Sequence, residues 1–353
     1  MLVFVSTDFH SIEASHYQLG TIDDVVQYCA SKDVLGVDTE TSGMDFTKKK
    51  VVMFQIGDEE KQFVIDTRNI NIEPLREVLE SKDIIKIFHN VKFDYKFIRS
   101  SFNIKCENVY CTFLVERVIS CGKSLGYGLK DLCKRYLNVE LNKEVRNQFI
   151  HLEGKPYTES QIVYGAKDVE YLCKIRNLQL PKIDEFKLNN VVNLENEAVL
   201  ALADIEYNGL DLDQDKWNKL EDINKSKAIK LLDGLDDMII NDGRLQSFIS
   251  KYVQSDLFTD FNDIRKVNVK WTSPIQVLKV FKTLLPELEN VNGKEMFKHR
   301  YKFPIIDKYI KYKEAMKLCT SYGGSFFKNL AADGRIHTNF HQVLDTGRVS
   351  SSK

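Results

Sequence analysis

Two carboxylates stand one residue apart in the segment Val37-Asp38-Thr39-Glu40-Thr41. Side chains at positions i and i+2 of an extended strand face the same way, so Asp38 and Glu40 are expected to point together. Two like charges at this range disfavour each other's ionisation unless a cation lies between them. A divalent metal ion suits such hard oxygen ligands. The nearby run Lys48–Lys50, or a simple solvated strand end, would account for the pair without chemistry.

Two further acids stand where helices are predicted. Asp94 ends the segment Phe88-His89-Asn90-Val91-Lys92-Phe93-Asp94, in which an apolar strand gives way to a helix. Asp168 follows Tyr164 by four residues, so the hydroxyl and the carboxylate are expected on one helix face. Each has a structural alternative, because the helix dipole favours an acid in a first turn and a Tyr/Asp pair at this spacing is commonplace.

Short apolar runs separated by turn-like segments predict the elements that must position these acids. They indicate an antiparallel meander of three strands and then a fourth, buried strand. Asn90 is predicted to cap the helix that follows this strand. The first half is therefore expected to be a mixed α/β sheet with helices on its faces. The strands are predicted at 34–37, 51–56, 63–65 and 84–88, and the helices at 75–79 and 159–172.

From about residue 188 the sequence predicts helices without alternating strands. The first of them is predicted to end at Gly209, and the next to begin at Asp213 or Asp215. Because Pro181 lies near this change of character, we place the boundary at 180–190 and predict domains at 1–185 and 186–353. The predicted apolar stripe of the first helix consists of Leu194, Ala198, Leu202 and Ile205. Later helices are predicted near Ser273–Leu285 and Ile305–Leu330.

Composition narrows the class of protein. The chain has 353 residues, 43% of them hydrophobic and 29% charged, which predicts two globular domains rather than disorder. No run of 18 apolar residues and no basic N-terminal region occurs, so neither a membrane span nor a secretion signal is predicted. The seven cysteines form no Cys-x-x-Cys pair, which argues against a zinc knuckle or a thioredoxin-type site. Their odd, scattered count is typical of a reduced cytosol. A net charge of −1 leaves any phosphate attraction to local patches.

The acidic motifs taken together and in order resemble the DnaQ-like (DEDD) 3′-5′ exonucleases of the tyrosine subclass. The likeness covers nearly all of residues 30–176 and includes Phe54-Gln55-Ile56-Gly57 and the stretch from Leu129 to Leu137. It implies a ribonuclease-H-like fold and two bound divalent cations, Mg²⁺ or Mn²⁺. Two such ions clamp the attacking and the leaving oxygens of a phosphodiester. The ligands that the resemblance implies are Asp38, Glu40, Asp94 and Asp168.

The same resemblance implies roles for further residues. Tyr164 would orient the attacking water, Glu40 would accept a hydrogen bond from it, and the product would be a nucleoside 5′-monophosphate. Met44, Asn90 and Phe93 resemble the residues that line the 3′ end of a single strand, although a methionine can equally fill a core. One departure is that Arg146-Asn147-Gln148-Phe149 stands where these exonucleases often carry a Ser-Asp-Trp-like segment.

The second half resembles the region that follows the exonuclease domain in family-A DNA polymerases. The likeness rests on five segments, and it implies that Arg348 reads the minor groove near the primer end. Lys317 lies in a lysine-rich stretch that is either a phosphate contact or a solvated surface. His337 and His341 lie in an extended segment, which argues against a metal site. The five segments are Glu206–Asp213, Ser273–Leu278, Lys317–Tyr322, Gly334–Gln342 and Thr346–Ser351.

The sequence ends at Lys353, where this resemblance reaches the start of the polymerase palm, so polymerase activity is not expected from this chain alone. The expected function is the proofreading exonuclease portion of a replicative polymerase in a bacterial or phage-infected cytoplasm. Single-stranded or frayed 3′ DNA ends, primer–template duplex and a second chain with the palm and fingers are the expected partners. Two alternatives stay open: a stand-alone exoribonuclease resembling ribonuclease D, and a non-catalytic DNA-binding subunit.

Overall fold

The computed structural model describes residues 1–7, 16–121, 123, 125–141, 149, 154–254, 262–344 and 346–352. The chain divides into two compact units, one of Met1–Leu210 with Ala331–Lys353 and one of Asp211–Leu330. This division differs from the predicted boundary near residue 185, because the helix that follows packs its buried residues on the first unit. The functional domains 1–185 and 186–353 stay a prediction, since compactness is a different criterion.

The first unit is built on a seven-stranded mixed sheet in the order β2-β1-β5-β4-β3-β6-β7. The pairs β3–β4 and β4–β5 are antiparallel, which confirms the predicted meander. The pairs β1–β5, β3–β6 and β6–β7 are parallel. The strands are β1 (Leu2–Val5), β2 (Gln18–Leu19), β3 (Val34–Thr41), β4 (Val51–Gly57), β5 (Gln62–Asp66), β6 (Ile85–Phe88) and β7 (Val109–Cys111).

Seven α-helices of the described part of the first unit accompany this sheet. The longest, α6, contains Pro181 and continues through it to Glu185. Short 3₁₀ and π turns lie at Glu73–Leu75 and Cys133–Leu137. The helices are α1 (Ile22–Ala30), α2 (Arg76–Leu79), α3 (Lys92–Phe102), α4 (Thr112–Ile119), α5 (Leu129–Leu132), α6 (Glu159–Glu185) and α7 (Asn189–Asn208).

Two local predictions in this unit were wrong. Asn90 does not cap α3: it has φ 64, in the left-handed region, and Val91 is the capping residue. The predicted stripe on α7 is also wrong, because Leu194 and Ile205 are 62% and 54% exposed. The buried face of α7 consists instead of Val192, Asn196, Val199, Ala203 and Glu206. It includes two polar residues whose partners lie elsewhere in the fold, so apolar periodicity selected the wrong face.

The core of the first unit lies between the sheet and its helices. Phe54, Phe63 and Phe88, from three different strands, are fully buried. Val199 and Ala203 of α7 belong to the same apolar cluster as these strands and α3. The C-terminal segment adds the short strands β11 (Arg335–Ile336), β12 (Asn339–His341) and β13 (Ser350–Ser352), of which β12 and β13 pair antiparallel.

The second unit is mainly helical. Asp213 caps its first helix by accepting a hydrogen bond from the Lys216 amide, and the core contains the buried Phe281 and Tyr309. The sequence missed the antiparallel hairpin β9–β10, and the last helix ends at Ser321 rather than near Leu330. The elements are α8 (Gln214–Asn241), β9 (Ile249–Gln254), β10 (Asn262–Val267), α9 (Pro274–Leu284), α10 (Gly293–His299) and α11 (Pro304–Ser321), with β8 (Leu210–Asp211) at the boundary and 3₁₀ turns at Gly243–Phe248 and Gly324–Asn329.

Among the residues with described positions, no helix combines the length and the apolar character that crossing a bilayer requires. All seven cysteines are free thiols, and five of them are buried.

Candidate active site

Three of the predicted carboxylates converge in the first unit. Asp38 and Glu40 lie on β3 and Asp168 lies on α6, and one oxygen of each falls within 4.8 Å of the others. Glu40 and Asp168 are only 6% and 3% exposed, whereas Asp38 is half-buried. Three converging carboxylates at low exposure repel one another, and hard oxygen donors in this arrangement fit a divalent cation such as Mg²⁺ or Mn²⁺.

A glycine allows α6 to deliver Asp168 to the sheet. Asp38 and Glu40 pair in register with Gln55 and Met53 of β4, so these four side chains share one face. A Cβ at Gly165 would lie 2.8 Å from Gln55 Nε2 and 3.2 Å from Met53 Sδ. The bare backbone therefore lets the helix lie directly on this face, one turn before Asp168.

Gln55 is a residue whose position the sequence did not single out. Its side chain is fully buried, and neither amide atom has a hydrogen-bond partner among the described residues. It lies on β4 in register with Asp38, and its amide is close to Gly165 of the helix that carries Asp168. An unpaired buried amide is costly, so its presence beside the acids is consistent with a site that is optimised for a ligand rather than for stability.

The fourth carboxylate, Asp94, reaches the cleft from α3. It is 3% exposed, and the hydroxyl of Thr39 donates a 2.6 Å hydrogen bond to its Oδ1. Thr39 lies between Asp38 and Glu40 in β3, and strand alternation turns it away from them, towards α3. This single hydroxyl therefore couples the position of Asp94 to the strand that carries the other acids. No sequence pattern singled out Thr39 beyond its place within the Asp-x-Glu motif.

A cleft of about 930 Å³ joins the acids to the other predicted site residues. Tyr164 is half-buried, with its ring centroid 6.4 Å from that of Phe149. Met44 is 72% exposed, which excludes the core-filling alternative for it. The predicted residues that line this cleft are Asp38, Glu40, Met44, Asn90, Phe93, Asp94, Tyr164 and Asp168. The structure thus brings these eight together, while their chemical roles stay predictions.

The two predicted duplex contacts lie elsewhere. Arg348 is exposed in the C-terminal segment and does not line the cleft, and Lys317 is exposed on α11 of the second unit. Part of the lysine-rich stretch is paired on the surface, since Lys311 contacts Asp307 at 2.7 Å and Lys298 contacts Glu295 at 2.6 Å. Residues 146–148 of the departing segment lie outside the described residues.

The two histidines of the extended segment have partners of their own. His337 lies 2.7 Å from the Glu206 carbonyl and 3.0 Å from Asp333 Oδ2, and His341 lies 2.6 Å from Ser352 Oγ. Among the described residues, the cluster of three acids is the group whose geometry suits a metal ion, and it contains neither histidine.

A further buried carboxylate, that of Glu206, lines the same cleft. Glu206 is 1% exposed and contacts Lys92 Nζ at 2.5 Å and Lys96 Nζ at 2.6 Å, both on α3. The backbone amide of Phe340 donates to the same carboxylate at 2.6 Å. Sequence reasoning used Glu206 only as part of a family resemblance, and its partners lie more than 100 residues away along the chain.

Comparison with known proteins finds relatives of the first unit. Residues 17–183 match a protein family described as 3'-5' exonuclease. A ribonuclease D from Desulfotalea psychrophila is 27% identical over 204 residues, which cover 57% of this chain and 52% of that protein. A DNA polymerase I from Aquifex aeolicus is 25% identical over 344 residues, which cover 90% of this chain and 53% of that protein. The chain therefore spans about half the length of these two curated relatives.

One solved structure shares the fold across both units. The POL domain of Pol1 from M. smegmatis, in complex with DNA primer-template and dNTP, matches with a TM-score of 0.63 at 18% identity. The match covers 94% of this chain and 53% of that one. Together with the family match, it confirms the predicted fold class, a ribonuclease-H-like mixed sheet followed by a mainly helical region.

Proposed function

We propose that this enzyme, whose DnaQ-like 3′-5′ exonuclease domain lies at residues 17–183, is the proofreading portion of a DNA polymerase. In this proposal it acts in DNA replication, in the cytoplasm, and releases nucleoside 5′-monophosphates from single-stranded or frayed 3′ ends. One observation carries the choice of DNA: the likeness to a DNA polymerase I extends over 90% of this chain, well beyond the nuclease domain.

The proposed cofactors are two divalent cations, Mg²⁺ or Mn²⁺, held by Asp38, Glu40, Asp94 and Asp168. The close approach of three of these carboxylates supports the assignment, as does the hydrogen bond that holds Asp94. When bound, such ions lower the pKa of a coordinated water and stabilise the charge of the departing oxygen. Four carboxylates against two divalent cations leave no net charge on the ligand set.

The remaining roles fall to residues that line the same cleft. Tyr164 orients the attacking water with its hydroxyl, and Glu40 accepts a hydrogen bond from that water. Met44 stacks against the terminal base, a role that its 72% exposure at the cleft supports. Asn90 and Phe93 contact the terminal nucleotide. Stacking of this kind contributes about 1–3 kcal/mol per base and tolerates any sequence, as proofreading requires.

The second half is proposed to bind duplex DNA. Arg348 would read the minor groove of the primer–template, and Lys317 would contact a phosphate; both side chains are exposed. A second chain that carries the polymerase palm and fingers is a further proposed partner. These assignments rest on the resemblance to family-A polymerases, whose relatives this chain covers in part.

An exoribonuclease is the second candidate function. The ribonuclease D relative is 27% identical over 204 residues and covers 57% of this chain, against the 90% that the DNA polymerase I relative covers. This likeness supports the same hydrolysis of phosphodiester bonds, with RNA instead of DNA as the substrate. An exoribonuclease function leaves the polymerase-like second half without a role, which is why we prefer DNA as the substrate.

The purified chain tests both candidates with 5′-labelled DNA and RNA oligonucleotides of the same sequence. We expect Mg²⁺- or Mn²⁺-dependent shortening from the 3′ end, with DNA cut at least about tenfold faster, a margin of roughly 1.4 kcal/mol in the barrier. Equal or faster cleavage of RNA would favour the ribonuclease D-like function. Asp38→Asn is the matched control, and it should remove cleavage of both substrates.

A further inference from the structure

One polar side chain beside the acid cluster has no part in the proposed mechanism. Gln55 is fully buried, and among the described residues neither its Nε2 nor its Oε1 atom has a hydrogen-bond partner. In the described part of the chain it is the one side chain with two such atoms. Leaving a buried donor or acceptor without a hydrogen bond destabilises the folded state. Gln55 is therefore an unfavourable residue for the fold in this conformation.

The register of the sheet places this amide next to one particular carboxylate. Gln55 pairs directly with Asp38 across β3 and β4, and Met53 pairs with Glu40. Residues directly opposite each other in an antiparallel pair have Cβ atoms about 4.5–5.5 Å apart on the same face. A glutamine side chain can bridge this distance by rotating about its own torsions. Asp38 is thus the carboxylate that the amide of Gln55 can reach from its place on β4.

We propose that Gln55 is a positioning residue of the metal site, whose Nε2 donates a hydrogen bond to the Asp38 carboxylate when the divalent cations are bound. Carboxylates that ligate metal ions are themselves held by hydrogen bonds, and these partners fix the orientation of the ligand. This inference rests on the proposed function and deepens it, because it assigns a residue to the metal site that the function requires.

The chemistry of an amide suits this role better than that of a cation. Asp38, Glu40 and Asp168 converge within 4.8 Å, and hard, negatively charged oxygens are what divalent cations prefer as ligands. A lysine or arginine in place of Gln55 would compensate this negative charge and compete with the ions. An amide N–H donates without carrying a charge, so it orients Asp38 and leaves the charge of the ligand set unchanged.

The other carboxylates of the cleft show the same division between neutral and charged partners. Asp94 accepts a 2.6 Å hydrogen bond from the hydroxyl of Thr39, which is a neutral donor. Glu206, outside the proposed ligand set, is held by two lysines instead. Gln55 gives Asp38 a neutral donor on one face of β3, as Thr39 gives one to Asp94 on the other.

The direct test replaces Gln55 with methionine, whose flexible side chain fills a similar space and carries no amide. Binding of Mn²⁺ is measured by isothermal titration calorimetry without DNA, so that hydrolysis plays no part. We expect the Kd for Mn²⁺ to rise by about 10- to 100-fold in Gln55→Met, the usual effect of losing such a partner. The midpoint of thermal unfolding in EDTA should stay the same or rise, because a buried amide without a partner is removed.

Met53→Leu is the matched control, because Met53 is also fully buried, lies on the same face of β4 and also borders Gly165. This variant alters only packing, so its Kd for Mn²⁺ should stay within about twofold of that of wild type. Equal Mn²⁺ affinities of Gln55→Met and wild type would overturn the proposal. An equal loss of affinity in both variants, or a lower unfolding midpoint of Gln55→Met in EDTA, would also overturn it, because Gln55 would then act through packing.

Activity measurements separate positioning from a direct part in the chemistry. Because Gln55→Met weakens cation binding, its kcat should return to within about threefold of wild type at saturating Mn²⁺. A kcat that stays low at saturating Mn²⁺ would assign Gln55 to the reacting atoms and contradict the positioning role.

A measurement on wild-type chain decides the matter should Gln55→Met not fold. The side-chain amide protons of Gln55 are observed by NMR and assigned with the isosteric variant Gln55→Glu. One of them should shift downfield when Mg²⁺ is added, because it then donates to a charged oxygen. Resonances that stay unchanged at saturating Mg²⁺ would overturn the proposal.

The failure of the proposed function would look different. Wild-type chain that binds Mn²⁺ more tightly than Gln55→Met but hydrolyses neither DNA nor RNA would refute the proposed exonuclease role and leave the role of Gln55 standing. Wild-type chain that hydrolyses DNA, together with Gln55→Met that binds Mn²⁺ equally well, would refute the role of Gln55 alone.

Discussion

The first unit contains two carboxylate sites, a cluster of three acids and the single Glu206, with opposite electrostatics. Asp38, Glu40 and Asp168 bring three negative charges within 4.8 Å of one another. Glu206 instead lies between two lysines and a backbone amide, each at 2.5–2.6 Å. Both groups line one cleft, and both depend on residues far apart in sequence.

This difference indicates that Glu206 stabilises the fold, whereas the cluster of three acids is arranged to bind a ligand. A buried carboxylate with cationic partners loses those contacts when it is removed, and the charges left behind are costly. Removing one member of a cluster of carboxylates stabilises the fold, because the repulsion among the charges becomes smaller. The sign of the stability change on mutation is therefore expected to differ between the two groups.

The largest expected effect is on catalysis by the acid cluster. Asp38→Ala should lower kcat by on the order of 10³-fold or more, as is typical when a group that supports transition-state charge is lost. The free energy of unfolding should stay the same or rise slightly, because repulsion with Glu40 and Asp168 is relieved. Exonuclease assays measure the change in kcat, and urea denaturation in EDTA measures the free energy of unfolding. Marked destabilisation would mean that the cluster is structural.

Glu206→Gln is expected to show the opposite pattern in stability. It should destabilise the first unit by about 3–5 kcal/mol, because Lys92 and Lys96 would be left in a largely buried position without a counter-charge. Urea denaturation at neutral pH measures this. Glu140→Gln is the matched control: its pair with Lys134 is highly exposed, so its loss should cost less than about 1 kcal/mol. Equal destabilisation by Glu206→Gln and Glu140→Gln would contradict the stabilising role of Glu206.

Gly165→Ala tests how the acid cluster is assembled. Helix propensity alone would stabilise this variant by about 1 kcal/mol. We expect a destabilisation of about 2 kcal/mol instead, because the new Cβ would lie 2.8 Å from the confined amide of Gln55. Activity should fall as Asp168 moves. Gly293→Ala is the control, because a Cβ there meets nothing within 4 Å, and thermal denaturation compares the two.

Lys86 extends the comparison to a buried charge without a carboxylate partner in the described part of the chain. Its side chain is fully buried and donates to the carbonyls of Ser81 and Ile84 at 2.5 and 2.7 Å. Burial lowers the pKa of Lys86 to about 8. The folded state therefore binds this proton more weakly than the unfolded chain, whose lysines titrate near 10.4.

The sign of the pH dependence follows from this lowered pKa. The cost of burying the charge is fully present below about pH 8 and disappears as the pH rises towards 10.4. Wild type should therefore gain about 2 kcal/mol in unfolding free energy relative to Lys86→Met between pH 8 and 10. Urea titrations across this range provide the measurement. The control Lys105→Met, at an exposed position, should show the same pH dependence of the unfolding free energy as wild type. If the unfolding free energy of Lys86→Met changed with pH in parallel with that of wild type, the prediction would be contradicted.

Short-range patterns predicted much of the site. Alternation in β3 correctly placed Asp38 and Glu40 on one face, and the apolar runs gave the meander that holds them. Local patterns failed where distant contacts decide. Asn90 adopts a left-handed conformation instead of capping α3, and α7 buries polar residues whose partners are on α3, β7 and the C-terminal segment.

The sequence by itself determined which acids share a strand, which helices follow, and which family the nuclease motifs resemble, because these features depend on spacings of a few residues. Only the tertiary structure decided that Thr39 holds Asp94, that Gly165 lets α6 lie on the sheet, and that Glu206 accepts a hydrogen bond from the Phe340 amide. Each of these contacts joins segments 55 to more than 130 residues apart. No local periodicity encodes such a pair, because it forms only when the whole sheet and its helices have packed.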